Sequence, residues 1–187
     1  MKSSTGTDAV FADVGSFAIL DRDLLERNFD RLLELNGPAL TRLAASYTNT
    51  LSDRDDLLQE IAFALWQALG RFRGECSERT FLFRIAHNRA IAYLARNKSQ
   101  MSAAGEEIDV HDPAPNPESG LAQAQQTQRL QRAIRQLPAL YRQVITLTLE
   151  GLGYGEIGEV LGISESNVGV RLNRARQMLR ELLENRK

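Results

Sequence analysis

The residues best suited to chemistry lie towards the C-terminal end, in the stretch YGEIGEVLGISESNVGVRLNRAR from Tyr154 to Arg176. Projected at about 100° per residue, Val168, Leu172, Ala175 and Leu179 form one apolar stripe. Ser166, Val170, Asn173 and Gln177 point away from it, and Asn167, Arg171 and Arg174 run along one flank. Arginine forks onto guanine, asparagine pairs with adenine or a phosphate, and a valine methyl packs on thymine. The pattern predicts a helix-turn-helix, with Tyr154 to Leu161 as the supporting helix and Gly162 at the turn. A second helix, capped by Ser164, would enter the major groove. A row of arginines alone is an ordinary solvated face; the cap, the turn and the buried stripe together favour DNA. The motif occurs in proteins with many jobs, so it gives a binding mode only.

Charge supplies a second basic region. The formal net charge of −1 hides a strong separation along the chain. From Arg71 to Lys98 seven basic residues face only Glu75 and Glu78. From Gln100 to Ala124 the sign inverts, with five acids and no lysine or arginine, and from Gln125 onward ten basic residues outnumber six acidic ones. Other chemistries lack their residues. Cys76 is the single cysteine, and His87 and His111 are too distant in sequence to suggest a metal site, so no cofactor or disulfide framework is expected. Arg73 and Arg79 near Cys76 make a redox role conceivable, but a small apolar residue in a loop is the favoured reading. No paired acids, activated nucleophile or phosphate loop points to an enzyme. Without an apolar run of spanning length or a leader-like N-terminus, a cytoplasmic protein that inserts in no membrane is expected.

These residues need elements to position them, and the periodicity is helical throughout, which predicts an all-α fold. Asp21 to Leu35 reads as a helix interrupted by Asn36-Gly37-Pro38, followed by another from Ala39 to about Thr50. Ser52 and Asp53 offer an N-cap to DRDDLLQEIAFALWQAL, whose apolar stripe is Leu57, Ile61, Ala64, Leu65 and Ala68. After FRGECSE, a helix resumes with Phe81, Ile85, Ile91 and Leu94 as its buried positions; Trp66, Phe72 and Phe83 also read as core. KSQMSAAGEEIDVHDPAPNPESG, with three prolines and few large apolar residues, reads as a flexible acidic linker. The second half begins near Leu121, and Pro138 opens a helix that Gly151 closes.

Three collinear segments resemble the extracytoplasmic-function (ECF) group of bacterial sigma factors. LPALYRQVITLTLEGLGYGEIGEVLGISESNVGVRLNRARQMLREL looks like their region four, DRDDLLQEIAFALWQAL like the polymerase-binding helix of region two, and FRGECSERTFLFRIAHNRAIAYLAR like the promoter-melting segment that follows it. The resemblance implies two small helical domains: an extension at 1–20, region two at 21–98, the linker at 99–122 and region four at 123–187. It implies core RNA polymerase and promoter DNA as partners, together with an anti-sigma factor. By it, Asp56, Leu57, Gln59 and Glu60 meet the clamp helices of the largest polymerase subunit. Arg73, Arg84, His87, Asn88 and Arg89 hold the melted minus-ten strand, while Ser166, Asn167, Val170, Arg171 and Arg174 read minus-thirty-five DNA.

The chain departs from the family pattern in places. Ala92 and Ala95 stand where an acid and an arginine are usual, leaving Arg96 and Lys98 to compensate. Asn167, Gly169 and Val170 replace the common threonine, lysine and serine, so promoter preference does not carry over. Two other functions fit the same residues: a helix-turn-helix regulator that acts without replacing a sigma factor, and an adaptor that mimics sigma surfaces.

Overall fold

The computed structural model describes residues 8–101 and 121–184, with side-chain surroundings for 22–97 and 125–184. His111 and most of the expected linker lie outside the described residues. Among the described residues seven helices follow in order: α1 (Asp8–Ala45), α2 (Leu51–Leu69), α3 (Glu78–Met101), α4 (Leu121–Gln136), α5 (Ala139–Leu149), α6 (Tyr154–Leu161) and α7 (Glu165–Glu184). α1, α2 and α3 pack on one another to form the first bundle, and α4 to α7 form the second.

α1 corrects two expectations. It begins at Asp8, upstream of the expected start at Asp21, and it runs unbroken through Asn36-Gly37-Pro38 as a single helix of 38 residues. Proline removes an intrahelical donor and crowds the preceding turn. Here Asn36 Nδ2 donates to the Leu32 carbonyl at 2.9 Å, and Thr41 Oγ1 donates to the Gly37 carbonyl at 2.9 Å. Leu32 lies before the proline and Ala39, Leu40, Leu43 and Ala44 after it, all buried in one core. Burial along a continuous face outweighs the local preference to break, since propensity is a weak prior against tertiary packing.

The cap of α2 also sits earlier than expected: Thr50, with an extended backbone, accepts the Asp53 amide on Oγ1 at 3.0 Å. Leu57, Ile61, Ala64 and Leu65 are buried as the spacing predicts. On α3 the register is displaced. Leu82, Phe83, Ala86, Ala90 and Tyr93 fill the core, whereas Phe81, Ile85, Ile91 and Leu94 are half-buried at its margin. Trp66 is half-buried edge-on against Phe29, ring centroids 5.2 Å apart, and Phe72 stacks on Phe81 at 4.4 Å.

The second bundle follows the sequence closely. Pro138 precedes α5, Gly151 follows it in the left-handed region, and Val144, Ile145 and Leu147 are buried. The bundles also touch directly, α3 packing against α5 and α6.

Candidate nucleic-acid and polymerase interfaces

The geometry of the C-terminal pair is set by backbone. α6 ends at Gly162, whose φ of 67° is the left-handed conformation that turns the chain without a Cβ clash. Gly158 accepts the Ile163 amide on its carbonyl at 3.0 Å, and a Cβ on Gly158 would lie 2.7 Å from the Ile163 carbonyl oxygen. Ser164 Oγ receives the Asn167 amide at 3.4 Å and contacts Ser166 Oγ at 3.1 Å, closing the first turn of α7. Val168, Leu172 and Ala175 are fully buried against the bundle. The opposite face is therefore fixed outward: Ser166, Asn167, Val170, Asn173 and Arg174 are exposed, and Arg171 is half-buried on the flank. All five residues expected to read minus-thirty-five DNA belong to this one helix. A Cβ on Gly169 would stand 3.6 Å from the Tyr154 ring, an ordinary contact, and both Tyr154 and Val170 are exposed.

The residues expected to hold minus-ten DNA divide. Arg73 is exposed in the loop between α2 and α3, beside Gly74 at φ 75°, and Asn88 and Arg89 are exposed on α3. Arg84 is half-buried, with its Nε enclosed and lacking a hydrogen-bond partner. His87 is buried at 6% exposure, its Nδ1 has no partner, and burial lowers its pKa to about 4. In this arrangement the neutral His87 ring faces protein, while Arg73, Asn88 and Arg89 face solvent. Arg96 is engaged: NH2 donates to Glu60 Oε1 at 2.5 Å, tying α3 to α2. Cys76 is a free, half-buried thiol in the α2–α3 loop.

On α2 the expected polymerase edge is revised at one position. Asp56 and Gln59 are exposed and Glu60 is half-buried against Arg96, but Leu57 is 0% exposed and belongs to the core. The apolar group that faces outward is Phe63, at 64% exposure. It lies three, four and seven residues after Glu60, Gln59 and Asp56, which places it on their face. The signal was present in that spacing: Leu57 is in register with the buried Ile61, Ala64 and Leu65, and Phe63 is out of it.

Among the described residues no group of three His, Cys, Asp or Glu side chains is arranged to hold a metal, and no helix is long and apolar enough to cross a membrane.

Comparison with known proteins matches both halves. Residues 32–100 match the family described as Sigma-70 region 2, and residues 127–179 match Sigma-70, region 4. The RNA polymerase sigma factor CnrH of Cupriavidus metallidurans is 32% identical over 171 residues, covering 85% of this chain and 88% of its own. The ECF RNA polymerase sigma factor SigM of Mycobacterium tuberculosis is 31% identical over 157 residues, covering 83% and 76%. The solved structure of CnrH in complex with the cytosolic domain of CnrY superimposes with a TM-score of 0.64 at 28% identity, covering 90% of this chain and 97% of that one.

Proposed function

The chain belongs to the extracytoplasmic-function group of bacterial RNA polymerase sigma factors, and from that premise we propose how its surfaces divide the work of initiation. It directs core polymerase to promoters, as an initiation factor and not as an enzyme. The α7 face carrying Ser166, Asn167, Val170, Arg171 and Arg174 reads the minus-thirty-five element in the major groove. Arg73, Asn88 and Arg89, with Arg84 behind them, hold the separated minus-ten strand. Phosphate contacts and base trapping there offset the few kcal/mol of unstacking, and no nucleotide hydrolysis is needed. Asp56, Gln59 and Glu60 on α2 form a polar edge for the basic residues of a polymerase helix, and Phe63 supplies its apolar anchor in place of Leu57.

One observation carries this reading: an outward-facing recognition helix and a second bundle with its own basic segment, Arg71 to Lys98, occur in one chain, each matching its own sigma region in the family order. A helix-turn-helix regulator acting alone has no use for the region-two match. The complex of CnrH with CnrY supports a further partner for this chain, an anti-sigma factor. In vitro transcription with purified core polymerase on a promoter library tests the proposal. Promoter-specific initiation dependent on the chain is expected, and failure to bind core or to start any transcript would remove the reading.

A further inference from the structure

Two helices with different tasks are joined by an ion pair. α2 carries the polar edge of Asp56, Gln59 and Glu60, and α3 turns Asn88 and Arg89 to solvent. Between them, Arg96 of α3 donates a guanidinium N–H to Glu60 Oε1 at 2.5 Å. Neither side chain is enclosed: Arg96 is 51% exposed and Glu60 38%, so each stays within reach of a molecule docking on its own helix. Both residues belong to the first bundle, in which α2 packs on α3.

Helical geometry puts Arg96 on the side of α3 that holds DNA. It follows Arg89 by two turns, which returns it to within about 20° of the same face and about 10 Å further along the axis. Both arginines are exposed. Ala92 lies between them on that face, so the carboxylate that meets Arg96 comes from α2 and not from its own helix. The two faces thus share one charge pair: its acid belongs to the polar edge of α2, and its base continues the row of α3.

We infer that Arg96 is a further residue that binds the separated minus-ten strand, and that Glu60 is exchanged between Arg96 and the basic residues of a polymerase helix. The inference rests on the sigma reading above. A guanidinium beyond Arg89 extends the phosphate track along α3, since arginine forks onto phosphate oxygens as it does onto a carboxylate. While Glu60 holds Arg96, its negative charge stands beside that track and offsets the attraction. A polymerase arginine or lysine that takes up Glu60 leaves Arg96 to the strand, and a strand that takes up Arg96 leaves Glu60 to the polymerase. Each partner then favours the other, and the coupling is equal in both directions. The worth of an exposed ion pair sets its size, about fivefold in either affinity. The exchange lies wholly inside the first bundle and requires no movement of the second.

The test is a double-mutant cycle in the full chain, read by binding of a fluorescent oligothymidine strand at low salt. Glu60→Gln is expected to tighten binding about fivefold and Arg96→Ala to weaken it. In the Arg96→Ala background the gain from Glu60→Gln should fall below about twofold, because the arginine it would release is gone. An equal gain in both backgrounds means that Glu60 merely repels the strand, and it overturns the exchange. No gain in either, or no binding by any variant, overturns it too. A second arm titrates core polymerase into the labelled chain with and without the strand. The strand should raise the affinity for core about fivefold in the unmodified chain and leave it unchanged in Arg96→Ala; the same rise in both overturns the inference. Promoter-specific initiation by the unmodified chain is measured beside these. If it initiates and the cycle shows no coupling, the exchange alone fails; if it neither binds core nor initiates, the sigma reading fails and the exchange falls with it.

Discussion

Acidification should destabilise this chain through His87. The ring is 6% exposed, Nδ1 is unpartnered, and burial lowers the pKa from 6.5 to about 4. The folded chain thus holds the imidazole neutral, while the unfolded chain protonates it in the ordinary range. Between those two values the unfolded state binds more protons, so the contribution is fully present above about pH 6.5 and is lost as the pH falls towards 4. The full shift corresponds to about 3 kcal/mol, and moving from about pH 7.5 to about pH 5 removes about 2 kcal/mol of it. Urea unfolding of the full chain at those two pH values, beside His87→Leu, isolates the term, because carboxylates elsewhere titrate in both proteins. The unmodified chain should lose about 2 kcal/mol more than the variant. Parallel losses would mean that the folded protein solvates or protonates the ring freely, and the argument from burial would be wrong.

Other substitutions separate packing from contact. Leu57→Ala should cost about 3 kcal/mol in unfolding free energy, as expected for a fully buried leucine, whereas Phe63→Ala should leave stability within about 0.5 kcal/mol and weaken capture by core polymerase; the reverse ranking would reassign the α2 face. Gly162→Ala places a Cβ at φ 67° and should cost about 1 kcal/mol by thermal unfolding, with Gly162→Asn milder; an unchanged melting temperature would contradict the strain. Arg174→Ala should leave stability unchanged and reduce minus-thirty-five duplex affinity, with a shallower salt dependence if its contact is to phosphate and relaxed base preference if to guanine.

Local chemistry explains which parts of the fold were legible. The second bundle is built from short helices separated by residues with strong backbone preferences, so Gly151, Gly162, Pro138 and Ser164 mark its joints in sequence as they do in space. α1 defeats the same logic because its breaker cluster lies under a continuous buried face from Leu32 to Ala44, and two side chains bond to carbonyls nearby. α3 was harder to phase for a related reason. Apolar residues occur on most of its sides, Phe81, Leu82, Phe83 and Ile85 nearly in succession, and periodicity cannot choose a core face when no face is clearly polar.

The candidate surfaces divide along the same line. α7 has one apolar stripe and one polar face, so its outward residues followed from the register alone. On α2 the register already argued against Leu57 as a contact, because a leucine in line with Ile61 and Leu65 cannot also face a partner without unpacking the core. Motif position and helical phase conflicted there, and phase decides, since burial of that stripe is required for the bundle to form at all. No such rule reaches the pair of Glu60 and Arg96. They are 36 residues apart, and their types would be equally at home on a solvated surface. Charge separation along a chain describes each segment's affinity for a third molecule; whether two side chains prefer each other depends on contacts that only the folded arrangement contains.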